Sequence, residues 1–205
     1  MKIAPRFIYI VSKNPGKLNE INKILSPYFL TVRSLYQDYP IGEIPETGFS
    51  YAENALIKAR RGFEVSRQIC IGEDSGLEID ALDRAPGILS ARFGGEQLNA
   101  IDKNQRILEL LKDIPSDQRS ACFVCVVALV WEGGEKIFEG QCHGWIAQES
   151  RGRSGFGYDP IFLLPPYQKT FAELGENMKN RFSHRAIAFR KLAEFFLQEM
   201  THIFG

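Results

Sequence analysis

Two adjacent carboxylates, Glu73 and Asp74, directly follow Ile69-Cys70-Ile71-Gly72, whose β-branched and small residues predict the end of a buried strand. A carboxylate at a strand end is costly to desolvate unless a cation or hydrogen-bond donors compensate it. The Ser75-Gly76 that follows predicts a sharp turn that leaves both acids at the rim of a sheet. An isolated Glu-Asp pair ordinarily marks an exposed turn. Here a second apolar run follows and Glu46 and Glu53 stand upstream, so a hard-cation site is the better reading.

A second constellation suits an anion. The strand-like Phe7-Ile8-Tyr9-Ile10-Val11 runs into Ser12-Lys13-Asn14-Pro15-Gly16-Lys17, after which Leu18, Ile21, Ile24 and Leu25 mark one face of a helix. The first backbone N–H groups of a helix lack intrahelical partners and carry partial positive charge, and Lys13 and Lys17 add formal charge beside them. The spacing is not that of a P-loop, which needs Gly-x4-Gly-Lys-Ser/Thr. Near the other end, Ser154-Gly155-Phe156-Gly157-Tyr158-Asp159-Pro160 brackets an aromatic ring with glycines, a way to offer it for stacking, and sets a carboxylate on a rigid turn. Ser183-His184-Arg185 opens the last helix. Cations in a first turn are disfavoured by the helix dipole, so an anionic or oxo-bearing ligand is their expected reason.

The elements that must carry these groups are readable in outline. Ser50 followed by Glu53 fits a helix-opening capping box, with Ala52, Ala55, Leu56, Ala59 and Phe63 predicted on one face of a helix reaching about Ser66. Taken alone, Lys58 and Arg60 on that helix read as surface charges. Gly76 to Leu82 alternates like a half-exposed strand, Arg84-Ala85-Pro86-Gly87 is a turn, and Ser90 to Gly95 reads as a glycine-rich loop. Asn99 to Lys112 is predicted helical. Ala121 to Val130 lacks polar alternation, which predicts a central strand covered on both faces, with a hairpin at Glu132-Gly133-Gly134-Glu135 into Lys136 to Ile146. A final helix carries Ala186, Phe189, Leu192, Ala193, Phe196 and Leu197.

The chain of 205 residues, 44% hydrophobic and 24% charged, suffices for one sizeable core or two small lobes sharing a sheet. Lys+Arg and Asp+Glu both number 25, so no whole-molecule field favours a nucleic-acid polyanion; a local cation cluster holding a small anionic ligand is expected instead. With no apolar stretch of membrane-spanning length and no signal-like start, a soluble cytoplasmic protein is expected, with no membrane partner. Cys122 and Cys125 would point to opposite faces of a strand and cannot chelate one ion; all four cysteines read as reduced. One α/β domain over residues 1–205, with two lobes around a mixed sheet, is the predicted architecture.

Read together, Ser12-x-Asn14-x-Gly16-Lys17, Glu46-Thr47-Gly48 with Glu53-Asn54-Ala55, Asp74-Ser75-Gly76-Leu77, Ser154 to Pro160 and Ser183-His184-Arg185 resemble the inosine triphosphate pyrophosphatase family, the RdgB-type noncanonical purine nucleoside triphosphate pyrophosphatases. The resemblance covers nearly the whole chain. It implies an elongated mixed β-sheet with flanking helices and two lobes around a central cleft, homodimerisation, and Mg²⁺-dependent hydrolysis of dITP, ITP and XTP to the monophosphate and pyrophosphate. By position it implies that Ser12, Lys13, Asn14, Pro15, Gly16 and Lys17 form the triphosphate loop and that Lys58 binds phosphate. It implies Glu46 and Asp74, with Glu73 beside them, as the metal carboxylates, and Asp74 as general base. Ser75, Phe156, Gly157, Tyr158, Asp159, Lys179, His184 and Arg185 would contact the nucleotide, with Phe156 stacking on the base and His184 or Arg185 aimed at a 6-oxo group. Ser12 replaces the commoner Thr, and Glu73 stands where bacterial members often carry Asp. Two alternatives come from elsewhere: a nucleotide-binding regulator without chemistry, and a Maf-type hydrolase of modified pyrimidine triphosphates. The acids argue against the first, and the His184-Arg185 pair argues for purines.

Overall fold

The computed structural model describes residues 7–28, 30–95 and 97–199. Seven strands form one mixed sheet in the order β2-β1-β3-β4-β5-β6-β7. The chain divides into two compact units, Met1–Asp74 with Cys125–Gly140 and His184–Gly205, and Ser75–Val124 with Gln141–Ser183.

In the first unit, β1 (Phe7–Ile10), α1 (Pro15–Leu25) and β2 (Thr31–Ser34) make a parallel βαβ crossover, and β3 (Cys70–Ile79) pairs parallel to the other edge of β1. Asn14 caps α1, its side chain accepting from the Lys17 amide at 3.1 Å, and Pro15 occupies the first turn, where its missing N–H costs nothing. The strands sort their side chains by parity. Ile8, Ile10, Ile71, Cys125, Val127 and Leu129 face a core completed by Ile21, Ile24 and Leu25 of α1 and by Phe189, Leu192 and Phe196 of α6 (His184–Glu199). On the opposite face Tyr9, Val11 and Cys70 pack near Phe63 of α2 (Tyr51–Ser66).

The face of α2 differs from the expectation. Its buried positions are Tyr51, Asn54, Ala55, Lys58, Ala59, Gly62 and Ser66, whereas Ala52, Leu56 and Phe63 are only half-buried. The rotation arises because α2 lies against glycine rather than a side chain: a Cβ on Gly72 would stand 1.9 Å from the Ala55 carbonyl oxygen and 2.7 Å from the Ala59 amide nitrogen.

The predicted turn at Ser75-Gly76 is absent. β3 continues without a break from Cys70 to Ile79, so Glu73 and Asp74 stand in mid-strand, 3% and 6% exposed, rather than at a rim. Two further points depart in detail: Ser90 to Arg92 belong to a 3₁₀ segment, Gly87–Arg92, and Leu77 to Ile79 alternate as expected before a 3₁₀ turn at Asp80–Leu82.

The second unit builds its core from Leu77, Ile79, Ala121, Phe123, Cys142, Ile146 and Phe162 beneath Ile107 and Leu111 of α3 (Ala100–Leu110) and its C-cap, and beneath Phe171 of α4 (Phe171–Leu174). β4 (Ser120–Trp131) is central, as its unbroken apolar run predicts, and joins β5 (Gly134–Ile146) through a tight turn. β6 (Phe162–Leu164) and β7 (Lys169–Thr170) are antiparallel additions, and α5 (Glu176–Phe182) follows α4. On the face away from this core, Glu78, Ser120, Cys122, Gln141, His143 and Trp145 line an open groove of about 380 Å³. The cysteines are free, with Cys125 buried and Cys122 half-buried. No helix among the described residues is long and apolar enough to cross a membrane.

Candidate active site

The candidate residues fall into two sets, one in each unit. In the first, strand alternation separates the two acids that the sequence joins. Glu73 shares the parity of Ile71 and faces α1 and α6; Asp74 shares the parity of Gly72 and faces α2.

Glu73 is enclosed by cations. The Lys17 ammonium donates to Oε2 at 2.5 Å, and Arg185 donates to Oε1 from Nη2 at 3.0 Å and from Nε at 3.3 Å. The Cys125 thiol also donates to Oε1, at 3.5 Å. Burial works to raise the Glu73 carboxyl, but Lys17 and Arg185 overcome it and hold the group well below the usual carboxylate range. Arg185 also donates from Nη1 to Glu20 Oε2 at 2.7 Å, and its own ionisation is pushed up because the carboxylates outweigh its complete burial. The guanidinium thus bridges two buried acids. Those two carboxylates are a second reason, beside the ligand expected from the helix dipole, for a cation in the first turn of α6.

Asp74 meets a different environment. Its Oδ2 accepts from the Asn54 amide at 3.1 Å, and its Oδ1 lies 3.7 Å from the Lys58 ammonium. Lys58 in turn donates to Glu46 Oε1 at 2.7 Å. The Asn54 carbonyl accepts from the Gly48 amide at 2.9 Å, so one side chain ties the Glu46-Thr47-Gly48 segment to Asp74. Burial raises the Asp74 carboxyl; Lys58 opposes, but Glu46 and Glu73 add to the rise and the net shift is upward. Lys58 is buried and paired, not the surface charge its type suggests, while Arg60 is exposed and bonded to Glu135. Glu53 is engaged at the helix start, accepting from the Phe49 amide at 2.6 Å while its own amide donates to Ser50 at 3.2 Å. It belongs to the cap and not to a cation site.

Glu46 and Asp74 already flank one cation, the Lys58 ammonium, and Mg²⁺ is typically held by one or two carboxylates with water and phosphate completing its shell. The donor set therefore fits a hard divalent ion. Among the described residues no three His, Cys, Asp or Glu side chains group around a common metal position. Strand alternation puts Glu73 on the other face of β3 from Asp74, beside Lys17 rather than the Glu46–Lys58 pair.

At the start of α1, Ser12 Oγ accepts from the Asn14 amide at 3.2 Å, and the Ser12 carbonyl accepts from Ser34. Lys13 is exposed, 3.6 Å from Glu43 and 4.8 Å from the Tyr36 ring. Pro15 and Gly16 form the first helical turn, ahead of Lys17. His184 is buried, and Gly140 lets β5 approach it closely: a Cβ there would lie 2.1 Å from the His184 carbonyl oxygen.

The second unit holds Ser75, half-buried in β3, and the loop Phe156 to Asp159. Asp159 is buried, and its Oδ2 accepts from the Phe156 amide at 2.9 Å and from the Lys179 ammonium at 2.7 Å. The same ammonium lies 4.5 Å from the Phe156 ring centroid, a cation–π contact. Gly155 has φ +81°, and a Cβ on it would come within 2.1 Å of Asp159 Oδ2. Its glycine identity is therefore what lets the loop fold over the carboxylate. The Gly157 carbonyl accepts from Asn104 of α3 at 3.1 Å, and the Tyr158 hydroxyl donates to the Ser90 carbonyl at 2.7 Å. Sequence reasoning missed Glu20, met Asn54 only inside the Glu53-Asn54-Ala55 motif without giving it a role, and missed Asn104. The available signal was a polar residue at a buried helical position, beside Ile21, Ala55 and Ile107 respectively.

A model of the Ham1 family matches residues 8–195. The chain belongs to the Ham1 family. It is 39% identical over 196 residues to the dITP/XTP pyrophosphatase of Desulforamulus reducens, covering 95% of this chain and 98% of the relative. It is 44% identical to that of Bacillus subtilis, covering 90% and 94%. A HAM1 protein structure from Coxiella burnetii superposes with a TM-score of 0.85 at 37% identity, covering 94% of this chain and 99% of that one. The Staphylococcus aureus Ham1 structure gives 0.84 at 35% identity, covering 95% and 100%.

Proposed function

We propose that the whole chain works as one catalytic domain that hydrolyses noncanonical purine nucleoside triphosphates, dITP, ITP and XTP, to the monophosphate and pyrophosphate, clearing them from the nucleotide pool. The observation that carries this reading is the pairing of acids and cations on the two faces of β3: Lys17 with Glu73, and Lys58 with Glu46 and Asp74. Names of the relatives support it, dITP/XTP pyrophosphatase among them.

Lys17, Lys58 and the backbone amides at the start of α1 hold the phosphates. Asp74, whose carboxyl is raised, accepts the proton of the water that attacks the α-phosphorus. Mg²⁺, held by Glu46 and Asp74, would supply charge neutralisation at the phosphates. Asn54 orients Asp74 through one hydrogen bond, and Glu73 and Glu20 hold Arg185 and Lys17 in place. The base is assigned to Phe156 for stacking and to Ser75, Asp159, Lys179 and His184 for polar contacts, with Arg185 the family-matched neighbour. A donor facing position 6 accepts an oxo group and meets adenine's amino group unfavourably. A homodimer in the cytoplasm is the proposed working form; the open face of the sheet at Gln141, His143 and Trp145 is where a second copy would find uncovered surface.

The test is a nucleotide panel with Mg²⁺. ITP should give IMP and pyrophosphate in equal amounts, and ATP should be a poor substrate. IDP and orthophosphate as the main products would overturn the register of attack.

A further inference from the structure

One polar residue of the second unit sits where the helix pattern calls for a hydrophobe. Asn104 of α3 stands three positions before Ile107 and seven before Leu111, on the stripe that covers the second core, and is 3% exposed. Its Nδ2 donates to the Gly157 carbonyl at 3.1 Å, while its Oδ1, also buried, has no hydrogen-bond partner among the described residues. A carbonyl can only accept, so this contact fixes which end of the amide faces the loop. Core stability does not account for the residue. A buried acceptor left unpaired offsets much of what one hydrogen bond contributes, and a leucine there would join Ile107 and Leu111 without that penalty.

The carbonyl that Asn104 holds lies at the middle of the turn that presents Phe156. The Asp159 amide donates back to the Phe156 carbonyl at 3.3 Å and closes a four-residue turn, in which Gly157, φ +61°, is the first central residue. The other ties of this turn fall elsewhere: Asp159 Oδ2 accepts from the Phe156 amide and from Lys179, and the Tyr158 hydroxyl donates to the Ser90 carbonyl. The peptide between Gly157 and Tyr158 is the one whose rotation re-aims its neighbours. A Cβ on Gly157 would meet nothing within 4 Å, so packing does not clamp the backbone on that side and the Asn104 bond does.

We propose that Asn104 is a positioning residue for purine recognition: through the Gly157 carbonyl it fixes the turn from α3, so that the Phe156 ring is held ready to stack before a base arrives. This rests on the function proposed above and deepens it with a residue outside the site motifs. A ring already ordered costs less to engage, so the effect of Asn104 belongs to base affinity. Bond cleavage is assigned to Asp74 with Lys17 and Lys58, and Asn104 touches none of these in the contacts described. Stacking accepts any purine face, so Asn104 supports hypoxanthine and xanthine alike.

The experiment compares the full chain as wild type, Asn104→Asp and Asn104→Leu, with Mg²⁺. The first variant keeps the shape but removes the donor; the second fills the core without one. KM for ITP and for XTP should rise about 3- to 10-fold in both, the span of one ordinary hydrogen bond, while kcat stays within about twofold. Inhibition by inorganic tripolyphosphate, which carries no base, should be unchanged. Hydrogen exchange at the Phe156 amide should quicken in both variants while the α3 amides stay protected. A merely structural asparagine predicts a lowered melting temperature with KM unmoved, or KM and tripolyphosphate inhibition weakened together, and either result overturns the proposal. Failure of both variants to fold does the same. A wild type that does not turn over ITP overturns the function beneath it, and the purine role with it; exchange at Phe156 that does not quicken overturns the positioning alone.

Discussion

On one face of β3, Glu73 is surrounded by Lys17 and Arg185 and is held well below the usual carboxylate range; on the other, Asp74 shares the ammonium of Lys58 with Glu46 and is raised. The two acids are consecutive, both buried and carried by the same strand. What separates them is the ratio of cations to carboxylates on each face. An acid kept ionised by two adjoining cations is a poor proton acceptor and a good anchor, whereas one that shares a cation with a second carboxylate is the better base. In the proposed reaction, adjacent positions in one strand thereby take opposite roles.

The sharpest way to break this contrast is Asp74→Asn, which should lower kcat at least ~10²–10⁴-fold, the range for loss of a general base, with circular dichroism unchanged. A mutant that keeps most of its turnover would remove Asp74 from the chemistry. Arg185→Ala attacks the other face. It leaves Glu20 and Glu73 buried without their shared cation and should destabilise the protein by about 3–5 kcal/mol, read by denaturant unfolding. A loss no larger than that of an exposed arginine would deny the anchor role. Asn54→Ala sits between the two in kind, since it removes an orienting bond without touching charge. Activity should fall about 10- to 100-fold, as for loss of groups that orient metal ligands, and activity unchanged would show that Asp74 needs no such support.

The smallest effect is a pH dependence. Because the Glu73 carboxyl is depressed in the folded state, its stabilising contribution is fully present above its unfolded value near 4.5 and is lost as pH falls through the lower folded value. The stability gap between wild type and Glu73→Gln should therefore be widest above that pH and should close in acid. A gap constant with pH would mean that Glu73 contributes by packing rather than by charge.

Local pattern made most of the scaffold readable: the βαβ opening, the extent of α2, the apolar run of β4 and the start of α6 all follow from periodicity, caps and composition. The centre of the site was less legible for a physical reason. Ser75-Gly76 after two acids has the composition of a turn, and only distant partners make a charged mid-strand tenable: Lys17 lies 56 positions from Glu73 and Arg185 112 positions away. Gly72 gives the same lesson. Its meaning is the proximity of the Ala55 carbonyl, a tertiary fact with no local trace. The Phe156 to Asp159 loop is self-contained, with Asp159 bonded to the Phe156 amide three residues away, so its conformation is written locally in its glycines and its carboxylate.

The reach of Arg185 also bears on how the protein is made. Its two acid partners lie 165 and 112 positions earlier in the chain, in the first helix and the third strand. A growing polypeptide therefore exposes Glu20 and Glu73 long before their common counter-ion is synthesised. The first unit, which draws α6 from the end of the chain, can close only after almost everything else has emerged, so its final docking is a late, long-range event of the slow kind. A ribosome-bound chain halted before Arg185 should accordingly remain protease-sensitive around α1, and its release with α6 included should restore protection.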